Sequence, residues 1–113
     1  MYLIIIQLFK NEYKEDLYMA LSSAGIQQTT YCDSYNLDNE LCKTSPLFSG
    51  LFKNPEHKER YATTYFCTAN TKDQIDAIPE GFEIAGIDWK KEQIFRITVM
   101  KADSIYNPDA IDD

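Results

Sequence analysis

The sequence predicts an α+β domain in which a four-stranded antiparallel sheet carries two helices on one face. Three observations support this. Four segments, residues 2–9, 27–35, 61–68 and 93–100, have the β-branched and aromatic composition of strands. Helical periodicity appears between the first and second of them, and a capping-box signature opens a second helix between the third and fourth. The chain has only 113 residues, 44% of them hydrophobic, with four glycines and four prolines, which suits one core and leaves no room for a second.

Residues 2–9 are almost continuously apolar, the pattern of a central strand covered on both faces. From Glu12 the period changes, and Tyr13, Leu17, Ala20, Leu21 and Ala24 share one helical face. Acidic Glu15 and Asp16 stand early in that segment and Gly25 follows it as the terminating residue. In residues 27–35, Thr29, Tyr31, Asp33 and Tyr35 alternate with Thr30, Cys32 and Ser34, so polar groups fall on both faces, as at a sheet edge or an interface. Residues 61–68 (YATTYFCT) form the third strand. Thr71 with Gln74 three residues on is a capping box that opens a second helix.

Pro79 and Gly81 are expected to stop that helix early, leaving residues 82–89 irregular with an extended apolar stretch. Residues 93–100 alternate Ile94, Arg96 and Thr98 against Phe95, Ile97 and Val99 as the last main strand, and residues 104–106 read as a short extra one. The domain is expected to span residues 1–106, with 107–113 as an acidic, solvated tail. The order βαββαβ is that of the ferredoxin-like fold. Its helix-free sheet face is expected to be buried by self-association in closed cyclic symmetry.

Eighteen acidic against eleven basic residues give a net charge of −7, which argues against a nucleic-acid binder, since phosphate neutralisation takes clustered Lys and Arg. Three cysteines are an odd number in a chain that does not need staples, so reduced thiols in the cytoplasm are expected. Cys32 and Cys67 read as buried packing residues, Cys42 lies in the loop where a thiol is free to react, and no redox role is expected of the three. The apolar run at the start is too short for a membrane span and lacks the features of a signal peptide, so no membrane insertion is expected. His57 lies in a charged turn, Pro55-Glu56-His57-Lys58-Glu59-Arg60, and reads as a solvated imidazole. Tyr31, Tyr35 and Tyr65 read as sheet packing, and Asp33, Asp38 and Glu40 as hydrated acids. No nucleophile stands near a base and no P-loop is present, so a non-enzyme is expected.

Composition does not account for residues 36–60. About 25 residues join two strands that a hairpin of two to five residues would connect, and such loops are usually functional or disordered. Their middle reads Ser45-Pro46-Leu47-Phe48-Ser49-Gly50-Leu51-Phe52. The long insertion with this core, together with a closing strand that carries Ile94-Phe95 and Val99, resembles the nitrogen-regulatory PII-like proteins. The chain is most similar to the uncharacterised branch with a PLFxGL stretch in the long loop. The resemblance implies a ferredoxin-like homotrimer that signals by binding a small effector in clefts between subunits. It places Ser34, Tyr35 and Asn36 on the cleft floor and Trp89, Lys90, Lys91 and Gln93 on the opposite wall. Pro46, Leu47, Phe48, Gly50, Leu51 and Phe52 become a lid or a contact with a protein partner.

The effector the resemblance brings to mind is a nucleotide, yet the family's phosphate-binding residues are absent. Where the family has a glycine-rich loop ending in Lys, this chain has Asp88-Trp89-Lys90-Lys91-Glu92-Gln93, and Ser104 and Tyr106 match the paired arginines past the last strand. The other reading is a CutA-like trimer, metal-binding or purely structural, in which the long loop only seals the assembly.

Overall fold

The computed structural model describes residues 1–35, 37 and 61–108. Six main elements follow in the expected order: β1 (Tyr2–Leu8), α1 (Lys14–Ser23), β2 (Thr30–Tyr35), β3 (Tyr61–Ala69), α2 (Lys72–Ile84) and β4 (Phe95–Lys101). A 3₁₀ turn at Asn11–Tyr13 leads into α1. The strands pair antiparallel in the order β2-β3-β1-β4, which with this connectivity is the ferredoxin-like arrangement.

β1 is central, as its apolar run predicts. Ile4, Ile6 and Leu8 point towards the helices and are buried, whereas Leu3 and Ile5 point the other way and are half-buried. Cover on both faces is therefore corrected to cover on one, because both helices lie on the same side. Under them Leu17 and Leu21 of α1, Ile75, Ile78 and Phe82 of α2, and Tyr65, Ile94 and Phe95 complete the core.

α2 overturns the expectation that Pro79 and Gly81 end it: it runs through both to Ile84, so residues 82–84 are helical rather than extended. Pro79 has no N–H to give the Ile75 carbonyl, at a cost of about 3 kcal/mol. Ile75, Ile78 and Phe82 bracket it on one face, all buried, with the Phe82 ring 4.9 Å from Phe95. At roughly 1.5–3 kcal/mol for each of these side chains, burial outweighs the local penalty. Gly81 lets the helices approach closely, since a Cβ there would lie 3.1 Å from that of Ala20.

Both helices end alike. Gly25 and Gly86 adopt positive φ, and the residue after each, Ile26 and Ile87, returns its N–H to Leu21 and Phe82 in Schellman turns. The capping box forms as predicted, with Thr71 Oγ1 accepting from the Gln74 N–H. The Gln74 side chain also reaches across the helix pair. Its Oε1 accepts from the Asn70 and Thr71 N–H groups at 2.8 and 3.3 Å, while its Nε2 donates to the carbonyls of Ala24 and Gly25 at 3.2 and 3.4 Å.

Three further expectations need correction. β2 begins at Thr30, not at residue 27, because Gln28 takes a left-handed φ of 57° that breaks the extended run. Cys32 is exposed, since β2 is an edge strand and its helix-free side is open; Cys67 is buried as expected. Residues 104–106 form no strand: the last ladder bond runs from the Ala102 N–H to the Met1 carbonyl, and the chain then leaves the sheet.

Burial pushes the Cys67 thiol above its usual value near 9, against a smaller opposing pull from the Thr29 hydroxyl. Burial and the Tyr18 hydroxyl likewise push the Tyr65 phenol above its usual value near 10. The fold thus holds both groups neutral while the unfolded chain gives up their protons first, so the stability they contribute is lost as pH rises. Urea midpoints are expected to fall between about pH 8 and about pH 10.5, and Cys67→Ala is expected to flatten the earlier part of that fall. An equal or higher midpoint at the upper pH would contradict this.

Candidate functional site

The expected cleft walls lie at opposite edges of one sheet. Ser34 and Tyr35 are on β2, and Trp89, Lys90, Lys91 and Gln93 precede β4. β3 and β1 separate the two edges, a distance of about 14 Å at ordinary strand spacing. Both walls occupy the same end of the sheet, because Tyr35 pairs with Tyr61, Thr63 with Leu8 and Leu8 with Phe95. One chain therefore does not bring them together. Asn36 and the loop residues Pro46, Leu47, Phe48, Gly50, Leu51 and Phe52 lie outside the described residues, as do Cys42, His57, Asp38, Glu40 and residues 109–113 of the tail.

On the β2 wall, the Ser34 hydroxyl donates to the Ala62 carbonyl at 2.7 Å and meets the Thr64 hydroxyl at 2.8 Å. These bonds commit it to holding β2 on β3. Tyr35 is 71% exposed.

The other wall is a closed turn. Asp88 accepts the Lys91 N–H on its carboxylate and the Glu92 N–H on its carbonyl; Gln93 donates to Lys90, and Ile94 to Trp89. Gln93 makes the closure with a φ of 54°, the conformation glycine usually supplies. The N–H groups of residues 91–94 are thus all spent internally. A phosphate cradle needs several convergent free N–H groups, and this turn offers none from that stretch. Its cationic side chains, Lys90 and Lys91, are exposed. Trp89 stacks on Phe95 at 4.8 Å, with the Lys90 ammonium 5.4 Å from the indole. The Tyr13 hydroxyl donates to Glu92 at 3.1 Å and ties the turn to the start of α1; that bond to a carboxylate raises the phenol's pKa.

Beside this turn, a cleft of about 320 Å³ opens between α2 and β4, with Ile75, Pro79, Trp89, Phe95 and Ile97 as its apolar lining and Asp76 and Arg96 at its rim. The Arg96 Nε donates to Gln7 at 2.8 Å, and Asp76 stands 4.0 Å from Lys72. Elsewhere Tyr31, Tyr65 and Tyr18 form an aromatic row, with centroids 5.5 and 6.0 Å apart, in which the Tyr65 hydroxyl donates to Tyr18. Tyr65 is core, as expected, whereas Tyr31 is mostly exposed. Among the described residues no group of three or more His, Cys, Asp or Glu is placed to hold a metal ion, and no helix is long and apolar enough to cross a membrane.

Sequence reasoning did not single out the helix-free sheet face residue by residue. Strand alternation and register set Leu3 and Ile5 of β1 beside Phe66 of β3 and Met100 of β4, with Thr30, Thr64, Thr68 and Thr98 around them. Phe66 and Met100 are 39% and 48% exposed.

No family model and no curated protein matches the chain. Among solved structures, a dimeric ferredoxin-like protein from an uncultured marine organism is similar, with 14% identity, a TM-score of 0.44 and coverage of 94% of this chain and 96% of that one.

Proposed function

We infer that the protein is a cytoplasmic PII-like regulatory homotrimer that binds a small-molecule effector between subunits and meets a protein partner through residues 36–60. The observation that carries this reading is the open sheet face: Leu3, Ile5, Phe66 and Met100 form an apolar centre that one chain leaves only partly covered. Apolar patches of this kind mark interaction surfaces, and closed rings of identical copies are the usual way to cover them. The separation of the two walls agrees, because Ser34 and Tyr35 share a cleft with Trp89 only if different copies supply them.

The closed 88–94 turn narrows the effector. A phosphate would have to be met by the side chains of Lys90 and Lys91 rather than by backbone, which favours an effector with little or no phosphate. The second reading, a CutA-like trimer that is structural or binds a metal, requires no phosphate contact from this turn.

A thermal-shift screen against adenine nucleotides, cyclic dinucleotides, 2-oxoglutarate, bicarbonate and divalent metals separates these. A specific effector at a hundred times its Kd is expected to add about 2.7 kcal/mol, a shift on the order of 10 °C. A shift with metals alone transfers the protein to the CutA-like reading, and no shift with any compound removes these effectors.

A further inference from the structure

We propose that residues 104–106 of one copy add as a strand to the free edge of β4 in a neighbouring copy, seating Tyr106 in the cleft between α2 and β4. This rests on the self-association inferred above and says which segment crosses.

The edge is open. Among the described residues β4 pairs only with β1, and the bonds Phe9 to Ile94 and Ala102 to Met1 set the phase of that ladder. Residues 94, 96, 98, 100 and 102 therefore turn their backbone groups to β1, while Phe95, Ile97 and Val99 turn theirs outward. Among the described residues nothing pairs with these outward groups. An added strand would satisfy them, and its alternate side chains would fall over the α2–β4 cleft, the geometry of peptide recognition by strand addition.

The occupant is indicated by what residues 104–106 leave undone. Their composition is that of a strand, yet they form none in their own sheet, and Tyr106 is 96% exposed. A cleft of about 320 Å³ with a Trp89–Phe95 floor suits a phenol ring, and the Asp76 carboxylate at its rim suits the hydroxyl. Charge agrees: Arg96 and Lys101 lie on β4 and Lys90 beside it, whereas residues 102–113 carry four aspartates and no basic residue.

The segment must come from another copy. A hairpin through Asp103 would set Tyr106 opposite the Val99–Lys101 end of β4. The cleft opens at Phe95 and Ile97, towards the other end of the strand, about 17 Å and about 10 Å respectively from Met100, the residue Tyr106 would then face.

Trp89 is the only tryptophan and lines the cleft, so its emission reports occupancy directly. The full chain is followed by sedimentation and by Trp89 fluorescence over a concentration series, beside Tyr106→Ala. Tyr106 is 96% exposed, so this variant is expected to keep the native circular dichroism. In the full chain, emission is expected to move to shorter wavelength in step with assembly. Tyr106→Ala is expected to lose that move and to associate about tenfold more weakly or worse. A synthetic peptide of residues 102–108 is expected to restore the move in the variant, saturably. Assembly and emission unchanged in Tyr106→Ala would overturn the strand exchange and leave the sheet-face assembly standing. An emission shift independent of concentration would overturn it in favour of docking within one chain. A monomer at every concentration would overturn both.

Discussion

Ile5→Lys is expected to abolish the self-association proposed above and leave 13.1 kDa monomers that keep the native fold. Ile5 stands at the centre of the helix-free face, paired with Phe66 on one side and Thr98 on the other, and its side chain touches none of the helix-side core. In a single chain a lysine there keeps its ammonium in water, so folding stability should change by less than about 1 kcal/mol. In a ring, every copy would bring an unpaired cation to the same interface. Each costs several kcal/mol to desolvate, enough to weaken association by more than about a thousandfold. Sedimentation of the variant decides the matter: a species of the parent's assembled mass would show that the open face is not the interface.

Phe82→Ala is the substitution expected to damage the fold most. Phe82 is 1% exposed, sits one turn beyond Pro79, and packs its ring at 4.9 Å against Phe95, which in turn carries Trp89. Removing the ring leaves a cavity and about 3–5 kcal/mol less stability. Against the 5–15 kcal/mol that domains of this size possess, that is a large share. It also removes the burial that holds α2 together beyond its proline. The expected result is a much lower urea midpoint, together with a loss of helical signal ahead of the main transition from fraying after Ile78. A midpoint within about 1 kcal/mol of the parent would mean that other contacts secure this part of α2.

These two residues also show how much was legible beforehand. Phe82 fell in a stretch read as irregular because Pro79 and Gly81 are local helix breakers, and local rules do not weigh the core that a helix can reach by continuing. Ile5 was placed on a central strand correctly, since an unbroken β-branched run survives any choice of neighbours. Which of its faces stays open depends on where both helices pack. Cys32 was misjudged for the same reason. The caps at Thr71, Gly25 and Gly86 involve only neighbouring residues, so Thr71 with Gln74 and Gly25 could be read directly. Residues 104–106 had strand composition but no partner, and composition does not supply one.

Of the candidate site, the identities were legible and the geometry was not. Nothing in Asp88-Trp89-Lys90-Lys91-Glu92-Gln93 announces that Gln93 will adopt a left-handed φ and that Asp88 will take the N–H groups an anion would need. The apolar cleft between α2 and β4 combines residues about 20 positions apart, a pairing that only the packed structure reveals.

The Gln74 amide joins the end of one crossover to the beginning of the other, with its oxygen on the N–H groups that precede α2 and its nitrogen on the carbonyls that follow α1. Neither helix terminus then opens alone, because fraying at one strips hydrogen bonds from the other. Amide protons at the two ends should consequently exchange with solvent as one cooperative unit, and Gln74→Leu should split that unit into two with separate opening free energies.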